Sequence, residues 1–224
     1  MCGRFIFLDD TEIPEINKIL REVNMKYEGT DITATTGEIF PTNNVPVCIL
    51  EDGKPSLTIM KWGFPKWDGM GVIINARSET VTGKRMFAEA FAHRRCVIPS
   101  TGFYEWAKTG GKAKEKYRFN DPGNLMLYMA GIYSDYPNAC QDEPVTEKFV
   151  ILTCAADETV SDIHDRMPVL LRKNEITRWL SDYDFARSII GRDSMSLYGF
   201  LVNHSESETE NAVLLGGFRG SSKR

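Results

Sequence analysis

Short apolar segments rich in β-branched and aromatic residues follow one another along most of this 224-residue chain. Many are bounded by Gly, Pro or Asn, a pattern that predicts short strands joined by tight turns. Residues 45–50 and 57–62 are expected to pair as a hairpin across the turn at 51–54. We therefore expect an α+β fold with a mostly antiparallel, barrel-like sheet and several peripheral helices.

Helical spacing of apolar residues occurs at only a few places. It predicts a helix over 12–24 and another over 84–93, with a loop over 25–40. Two more helices are predicted over 174–181 and 182–190, the second started by a capping box of Ser181 and Asp184. No repeat, low-complexity block or linker divides the chain, so these elements are expected to form a single domain.

Composition excludes several classes of protein. The formal net charge is −4, so any nucleic-acid site must be a local basic patch. Five cysteines without CxxC spacing argue against a disulfide framework or a structural zinc site. The sequence shows neither a metal-ligand motif, a signal-peptide pattern nor a long apolar run, so we expect a cytoplasmic protein without membrane, metal or cofactor.

Cys2 is the residue with the most distinctive reactivity. Its small side chain favours removal of Met1, which would leave an α-amine and a thiol on one residue. Such an aminothiol can condense with an aldehyde and close a thiazolidine ring, or its amine can activate the thiol as in N-terminal-nucleophile amidases. Both groups are mostly protonated at neutral pH, so a working site must supply acid–base partners. From the dipeptide alone, a Cys2 without any role remains an alternative.

Three further segments offer such partners beside apolar strands. Asn75 follows the buried run 72–74, where its amide is either held inward or used as a structural cap. Glu105 shares a strand face with Phe103 under strand alternation, which favours a raised pKa and general-acid work, although a solvent-facing carboxylate is equally compatible. His164 can donate a hydrogen bond to a reacting oxygen or relay a proton.

Candidate DNA contacts lie near the same segments. Arginines can hold phosphates, and an exposed aromatic ring in a Gly/Pro loop can stack on a base. Trp67 lies in such a loop, where the alternative is a ring that pins the loop to the core. The arginines adjacent to the segments are Arg4, Arg77, Arg85 and Arg166.

Five motifs together resemble one family, the SOS-response-associated peptidase (SRAP) domain proteins. They are Met-Cys-Gly-Arg-Phe at the start, Trp62-Gly63 with Pro65, Ile74 to Thr80 (INARSET), Gly102 to Trp106 (GFYEW) and Ile163 to Pro168 (IHDRMP). The resemblance covers roughly residues 2–203 in order and implies that they form an SRAP-like domain. Residues 204–224, which end in Gly-Ser-Ser-Lys-Arg, are expected to be a partly disordered tail.

The resemblance implies capture of abasic sites in single-stranded DNA. The ring-opened deoxyribose aldehyde would bond to Cys2 as a thiazolidine, which would shield the lesion. Asn75 would hold the terminal amine or the sugar, Glu105 would donate a proton, and His164 would hydrogen-bond the opened sugar hydroxyl. Action on DNA implies association with the nucleoid, and we expect a monomer without cofactor.

The resemblance also implies a DNA-binding surface. Phosphates flanking the lesion would be held by Arg4, Arg77 and Arg166, with Arg85 as a further candidate. Trp67 and Pro41 would wedge and stack at the strand junction. The chain departs from the family in the loop 68–71, where relatives often carry prolines, and in 197–199, where they show Pro-Val-Ser.

Two other functions use the same residues. One is a thiol peptidase, whose minimal reaction is removal of its own Met1 and which would employ Cys2, Glu105 and His164. The other is a single-stranded DNA binder that performs no chemistry. Composition does not separate these from covalent capture of an abasic site.

Overall fold

The computed structural model describes residues 2–10, 12–107, 114–121, 123–136, 146–192 and 197–202. The strands are β1 (Arg4–Phe7), β2 (Gly37–Ile39), β3 (Asn44–Glu51), β4 (Lys54–Trp62), β5 (Phe64–Pro65), β6 (Val72–Ile73), β7 (Asn75–Arg77), β8 (Arg95–Ser100), β9 (Gly102–Ala107), β10 (Glu115–Asn120), β11 (Leu127–Tyr136), β12 (Thr146–Ala155), β13 (Arg166–Pro168), β14 (Leu170–Leu171) and β15 (Tyr198–Leu201). The helices are α1 (Pro14–Lys26), α2 (Arg85–His93), α3 (Glu158–Ser161), α4 (Ile176–Ser181) and α5 (Tyr183–Ile189), with a 3₁₀ turn at Lys173–Glu175. The predicted tail 204–224 lies outside the described residues.

Five strands pair in a closed ring. β12 pairs with β4, β4 with β3, β3 with β8, β8 with β11, and β11 returns to β12. All these pairings are antiparallel except that of β12 with β4. Closure gives each strand of the ring two partners, which removes the exposed edges of an open sheet. The predicted α+β fold with a barrel-like, mostly antiparallel sheet and peripheral helices is confirmed.

A second sheet carries the start of the chain. Its order is β15-β10-β9-β1-β2, so β1 pairs on both sides. Phe5 lies opposite Phe103 of β9 and Ile39 of β2, and its ring centroid is 5.1 Å from that of Trp62 at the end of β4. The segment directly after Cys2 is therefore an inner strand that packs against the barrel.

The structure corrects two predictions. Residues 25–40 are not all loop, because 37–39 form β2; three residues at a sheet edge are too few to show a strand period. Ser181 does not cap α5, because it is still the last residue of α4 and its hydroxyl donates to the Thr177 carbonyl. Asp182 is the cap instead, and its Oδ1 accepts from the Phe185 N–H at 2.9 Å.

Arg95 joins two helix ends beneath the barrel wall. Its side chain is buried, and its guanidinium donates to the Phe91, Ala92, Trp179 and Leu180 carbonyls over 2.6–3.1 Å. These oxygens lie near the C-terminal ends of α2 and α4, where helix carbonyls lack partners within the helix. One guanidinium therefore donates hydrogen bonds to the carbonyls of two helix ends, and its positive charge interacts favourably with the dipoles of both helices.

We expect Arg95→Met to reduce the free energy of unfolding by at least about 3 kcal/mol, because it leaves several buried carbonyls without donors. Arg187→Met, at an exposed position on α5, is the matched control and should change stability by less than about 0.5 kcal/mol. Urea unfolding followed by circular dichroism measures both. A loss below about 1 kcal/mol for Arg95→Met would mean that water replaces the guanidinium.

Candidate active site around Cys2

Asn75 fixes the backbone of Cys2. Cys2 lies just before β1 and is fully buried, while Asn75 begins β7 beside β12. The Asn75 Nδ2 donates to the Cys2 carbonyl at 2.8 Å. The Asn75 Oδ1 is buried and accepts no hydrogen bond from the described residues. The amide is thus held at one end, and its oxygen is left to accept from a donor near Cys2.

Glu105 supplies a buried carboxyl group to the same place. It lies on β9 and is 3% exposed, and Phe103 on the same strand is fully buried. Burial, and more weakly the charge of Asp165, raises the pKa of Glu105 to about 7. The raised pKa expected from the strand pattern is confirmed, and the solvent-facing alternative is wrong.

The thiol of Cys2 is in the same apolar environment. Burial raises the pKa of the Cys2 thiol well above its ordinary value, and the negative charge of Glu105 raises it further. The Cys2 Sγ lies 3.5 Å from the Arg4 carbonyl, in weak hydrogen-bonding contact. The resting thiol is therefore neutral, and reaction at sulfur requires a base.

The imidazole of His164 lies near the carboxyl group of Glu105. The backbone N–H of Arg166 donates to the His164 Nδ1 at 3.1 Å, so in the neutral ring the proton is on Nε2. That Nε2 lies 4.0 Å from the Glu105 Oε2. The exposed carboxylate of Asp165 lies 2.9 Å from Nδ1. With the proton of the neutral ring on Nε2, this carboxylate could accept a hydrogen bond from Nδ1 only after the ring had gained a second proton and become charged.

Arg4 is stacked between rings at the edge of the site. Its guanidinium lies 3.7 Å from the centroid of the Phe40 ring and 5.9 Å from that of Trp106. Its Nη1 is 3.6 Å from Glu38. This stacking orients the cation. The contribution of Phe40, in the turn after β2, and of Trp106, on β9, was not predicted because both are far from Arg4 in the sequence.

The other predicted DNA contacts are on the surface. Trp67 is 94% exposed between β5 and β6, so the alternative of a loop-pinning core ring is wrong. Pro41 is half-buried in the turn after β2, next to the ring that stacks on Arg4. Arg77 ends β7 and is exposed. Arg85 begins α2 and is exposed, and in the described part of the chain no hydrogen bond or ion pair joins it to Cys2 or Glu105.

Arg166 is already engaged by protein groups. Both its Nη atoms contact the carboxylate of Glu79, and Nη2 also donates to the Thr153 carbonyl. Its phosphate-binding role stays a prediction. Glu79 was not predicted to be a functional residue. Its position in the same motif as Asn75 and Arg77 was the sequence signal that could have identified it.

No group of three or more His, Cys, Asp or Glu side chains in the described ranges has the geometry to hold a metal ion. No helix in those ranges is long and apolar enough to cross a membrane.

Comparison with known proteins gives consistent matches. The family model "SOS response associated peptidase (SRAP)" matches residues 1–192. The abasic site processing protein YoqW of Bacillus subtilis is 30% identical over 233 residues, covering 95% of this chain and 99% of YoqW. The abasic site processing protein YedK of Escherichia coli is 37% identical over 120 residues, covering 53% and 52%. A crystal structure of a Bacteroides thetaiotaomicron protein has a TM-score of 0.74 at 23% identity, over 91% of this chain and 93% of that one, which supports the fold.

The raised pKa of Glu105 predicts how stability depends on pH. Between its ordinary pKa of about 4.3 and about 7, the folded protein holds a proton that the unfolded chain releases, so this group makes stability fall as pH rises. Glu105→Gln does not titrate, so its stability relative to wild type should increase across that window, by at most about 1.4 kcal/mol per pH unit. Urea unfolding at several pH values measures the difference.

Glu158→Gln is the matched control, since Glu158 is exposed at the start of α3. Its stability difference from wild type should stay nearly constant over the same window. A constant difference for Glu105→Gln as well would contradict the protonated carboxyl.

Proposed function

Because the chain belongs to the SOS response associated peptidase family, we propose that it captures abasic sites in single-stranded DNA as a thiazolidine on Cys2. One observation carries the proposal: the Asn75 amide holds the backbone of Cys2 beside a carboxyl group whose pKa is raised to about 7. An N-terminal aminothiol in this position has an acid and a base at the pH where it must work. The neutral charge state of the thiol explains why such a partner is needed.

The covalent steps balance without a cofactor. After Met1 is removed, the Cys2 amine adds to the aldehyde of the ring-opened sugar and forms a carbinolamine. Glu105 donates its proton to the departing hydroxyl, which leaves as water, and a C=N bond forms. The C=N nitrogen keeps its own proton and is positively charged at this stage. The Glu105 carboxylate then takes the thiol proton, and sulfur adds to the carbon of this protonated imine, whose nitrogen becomes the neutral N–H of the ring. The net reaction joins aldehyde and aminothiol and releases one water.

Asn75 and His164 orient the reactants. The Asn75 Oδ1, buried and without a hydrogen bond from the described residues, would accept from the Cys2 amine and direct the nitrogen lone pair toward the aldehyde. The His164 Nε2–H lies beside Glu105 and would donate to the hydroxyl of the opened sugar. Both interactions favour ring opening and hold the aldehyde close to the amine, which supplies much of the rate of such reactions.

A surface around the site would hold the strand. Arg4, Arg77 and Arg85 would contact phosphates, and Trp67 and Pro41 would stack at the junction between single and double strands. The proposal needs only this local patch, since the whole chain carries a charge of −4. The stacking of Arg4 on Phe40 restricts that guanidinium before DNA arrives, which lowers the entropy lost on binding.

The direct test is incubation with single-stranded DNA that contains one abasic site, followed by a denaturing gel. We expect one adduct with the mature protein and none with intact DNA. A variant with one residue inserted before Cys2 should bind DNA and form no adduct, because its α-amine is no longer on the cysteine. Adduct formation by that variant would exclude the thiazolidine, and peptide hydrolysis without any adduct would favour the peptidase alternative.

Cys2→Ser distinguishes the role of the α-amine from that of the thiol. The serine keeps the α-amine, so an imine should still form and be trapped by borohydride. Ring closure would give an oxazolidine, which reverts more readily, so the stable adduct should disappear from the gel. Cys48→Ser, at a half-buried cysteine in β3, should retain it. A stable adduct with Cys2→Ser would show that sulfur takes no part.

Binding should depend on salt through the arginines. Each phosphate contact contributes a slope of roughly −0.7 to the log–log plot of affinity against salt for a single strand. Arg77→Ala should therefore make the slope shallower by about 0.7, while Arg187→Ala on α5 should leave it unchanged. Fluorescence anisotropy with intact single strands measures both. Equal slopes for wild type and Arg77→Ala would remove Arg77 from the DNA-binding surface.

A further inference from the structure

An ion pair crosses the strand that separates two parts of the site. The C-terminal end of β12 has β7 on one side and β13 on the other. Asn75 begins β7, and His164 lies two residues before β13. Glu79, just beyond β7, reaches over β12 to Arg166 at the start of β13. The pair therefore connects the segment that holds Cys2 with the segment that carries the imidazole.

The geometry of this contact is two-pronged. The Arg166 Nη2 lies 2.9 Å from the Glu79 Oε2, and Nη1 contacts Oε1. The same Nη2 donates to the Thr153 carbonyl, which belongs to β12 itself. Three strands are thus joined through one guanidinium, and a fork of this kind restricts orientation as well as distance.

The same residue sets the state of the imidazole. The backbone N–H of Arg166 donates to the His164 Nδ1 at 3.1 Å, and the Ala156 N–H donates to the Asp165 carbonyl at 3.0 Å. The turn that contains His164 is therefore held between β12 and Arg166. Displacement of Arg166 would remove the donor that keeps the proton on Nε2, where it faces Glu105.

The geometry of the ion pair fits two other roles less well, namely phosphate binding by Arg166 and stabilisation of the fold. The Arg166 side chain is 11% exposed and both its Nη atoms contact protein groups, so a phosphate would have to compete with Glu79 and Thr153 for it. Its Nε is buried and meets no acceptor among the described residues. Glu79 is about half exposed, and ion pairs of that kind contribute little stability.

We propose that Glu79 is a positioning residue of this site, which acts through Arg166 to hold the His164 imidazole with its Nε2–H directed at the reacting sugar. The effect on rate rests on the proposed function, whereas the effect on the imidazole does not. Glu79 touches neither substrate nor Cys2 in this scheme. Removal of the Glu79 carboxylate should change the tautomer of the His164 ring and leave the affinity for DNA unchanged.

The first measurement is the tautomer of His164, read from imidazole ¹⁵N shifts by NMR and assigned with a His164→Gln sample. Wild type should show one neutral tautomer with the proton on Nε2, and Glu79→Ala should show a mixture. Glu79→Gln keeps one oxygen for the guanidinium and should give an intermediate result. This readout needs no DNA, so it tests the role of Glu79 even if the protein forms no adduct.

The second measurement is the rate of adduct formation. Glu79→Ala should slow it by tenfold or more, toward the roughly 10²-fold loss that small misplacements cause, with the Kd for intact single strands unchanged. Glu175→Ala is the matched control, because it removes a similar two-pronged pair with Arg192 that makes no contact with His164. Its rate and tautomer should equal those of wild type.

Three results would overturn the proposal. An unchanged tautomer in both Glu79 variants would show that Arg166 is held without the carboxylate. Tighter DNA binding by Glu79→Ala with a steeper salt slope would show that Glu79 merely competes with phosphate for Arg166. A loss of rate in Glu175→Ala equal to that in Glu79→Ala would assign the effect to general destabilisation.

Discussion

Strand β12 is the element on which both the barrel and the site depend. Its first half closes the ring by pairing with β11 and β4, and its last residues carry β7 on one side and β13 on the other. A shift of one residue in this strand would turn its side chains to the opposite face and displace both flanking strands. The pairing that completes the core therefore also sets the distance between Asn75 and His164.

The site places groups where they are electrostatically unfavourable. A carboxyl group and a thiol both lie buried beside apolar strands, where burial disfavours the charged form of each and the charge of Glu105 further disfavours the thiolate. A protein keeps such a pair only where the surrounding structure holds it. The same burial keeps a large share of Glu105 protonated near neutral pH, which is the state that a proton donor needs. Burial of Glu105 is thus the cause both of its unfavourable solvation and of its ability to donate a proton.

Much of the fold could be predicted from the sequence because its signals are local. The hairpin of β3 and β4 follows from two apolar runs around a polar turn with Gly53, and α1 follows from its apolar spacing. Cys2, Asn75, Glu105 and His164 were predicted as site residues from side-chain chemistry and from motifs, and they stay predictions. The hold of Glu79 on Arg166 was not, because the two residues are 87 positions apart and meet only through the sheet order. Arg95 and Leu180 are likewise 85 positions apart.

The inner position of β1 has a consequence for the order of events during synthesis. Arg4–Phe7 is synthesised long before its partner β9, which begins only at Gly102. At ~5–20 residues per second, roughly 5–20 s pass before that partner exists. Cys2 is buried once the two strands pair, and until then the start of the chain is accessible. β1 therefore stays without this inner partner until nearly half of the 224-residue chain has been made.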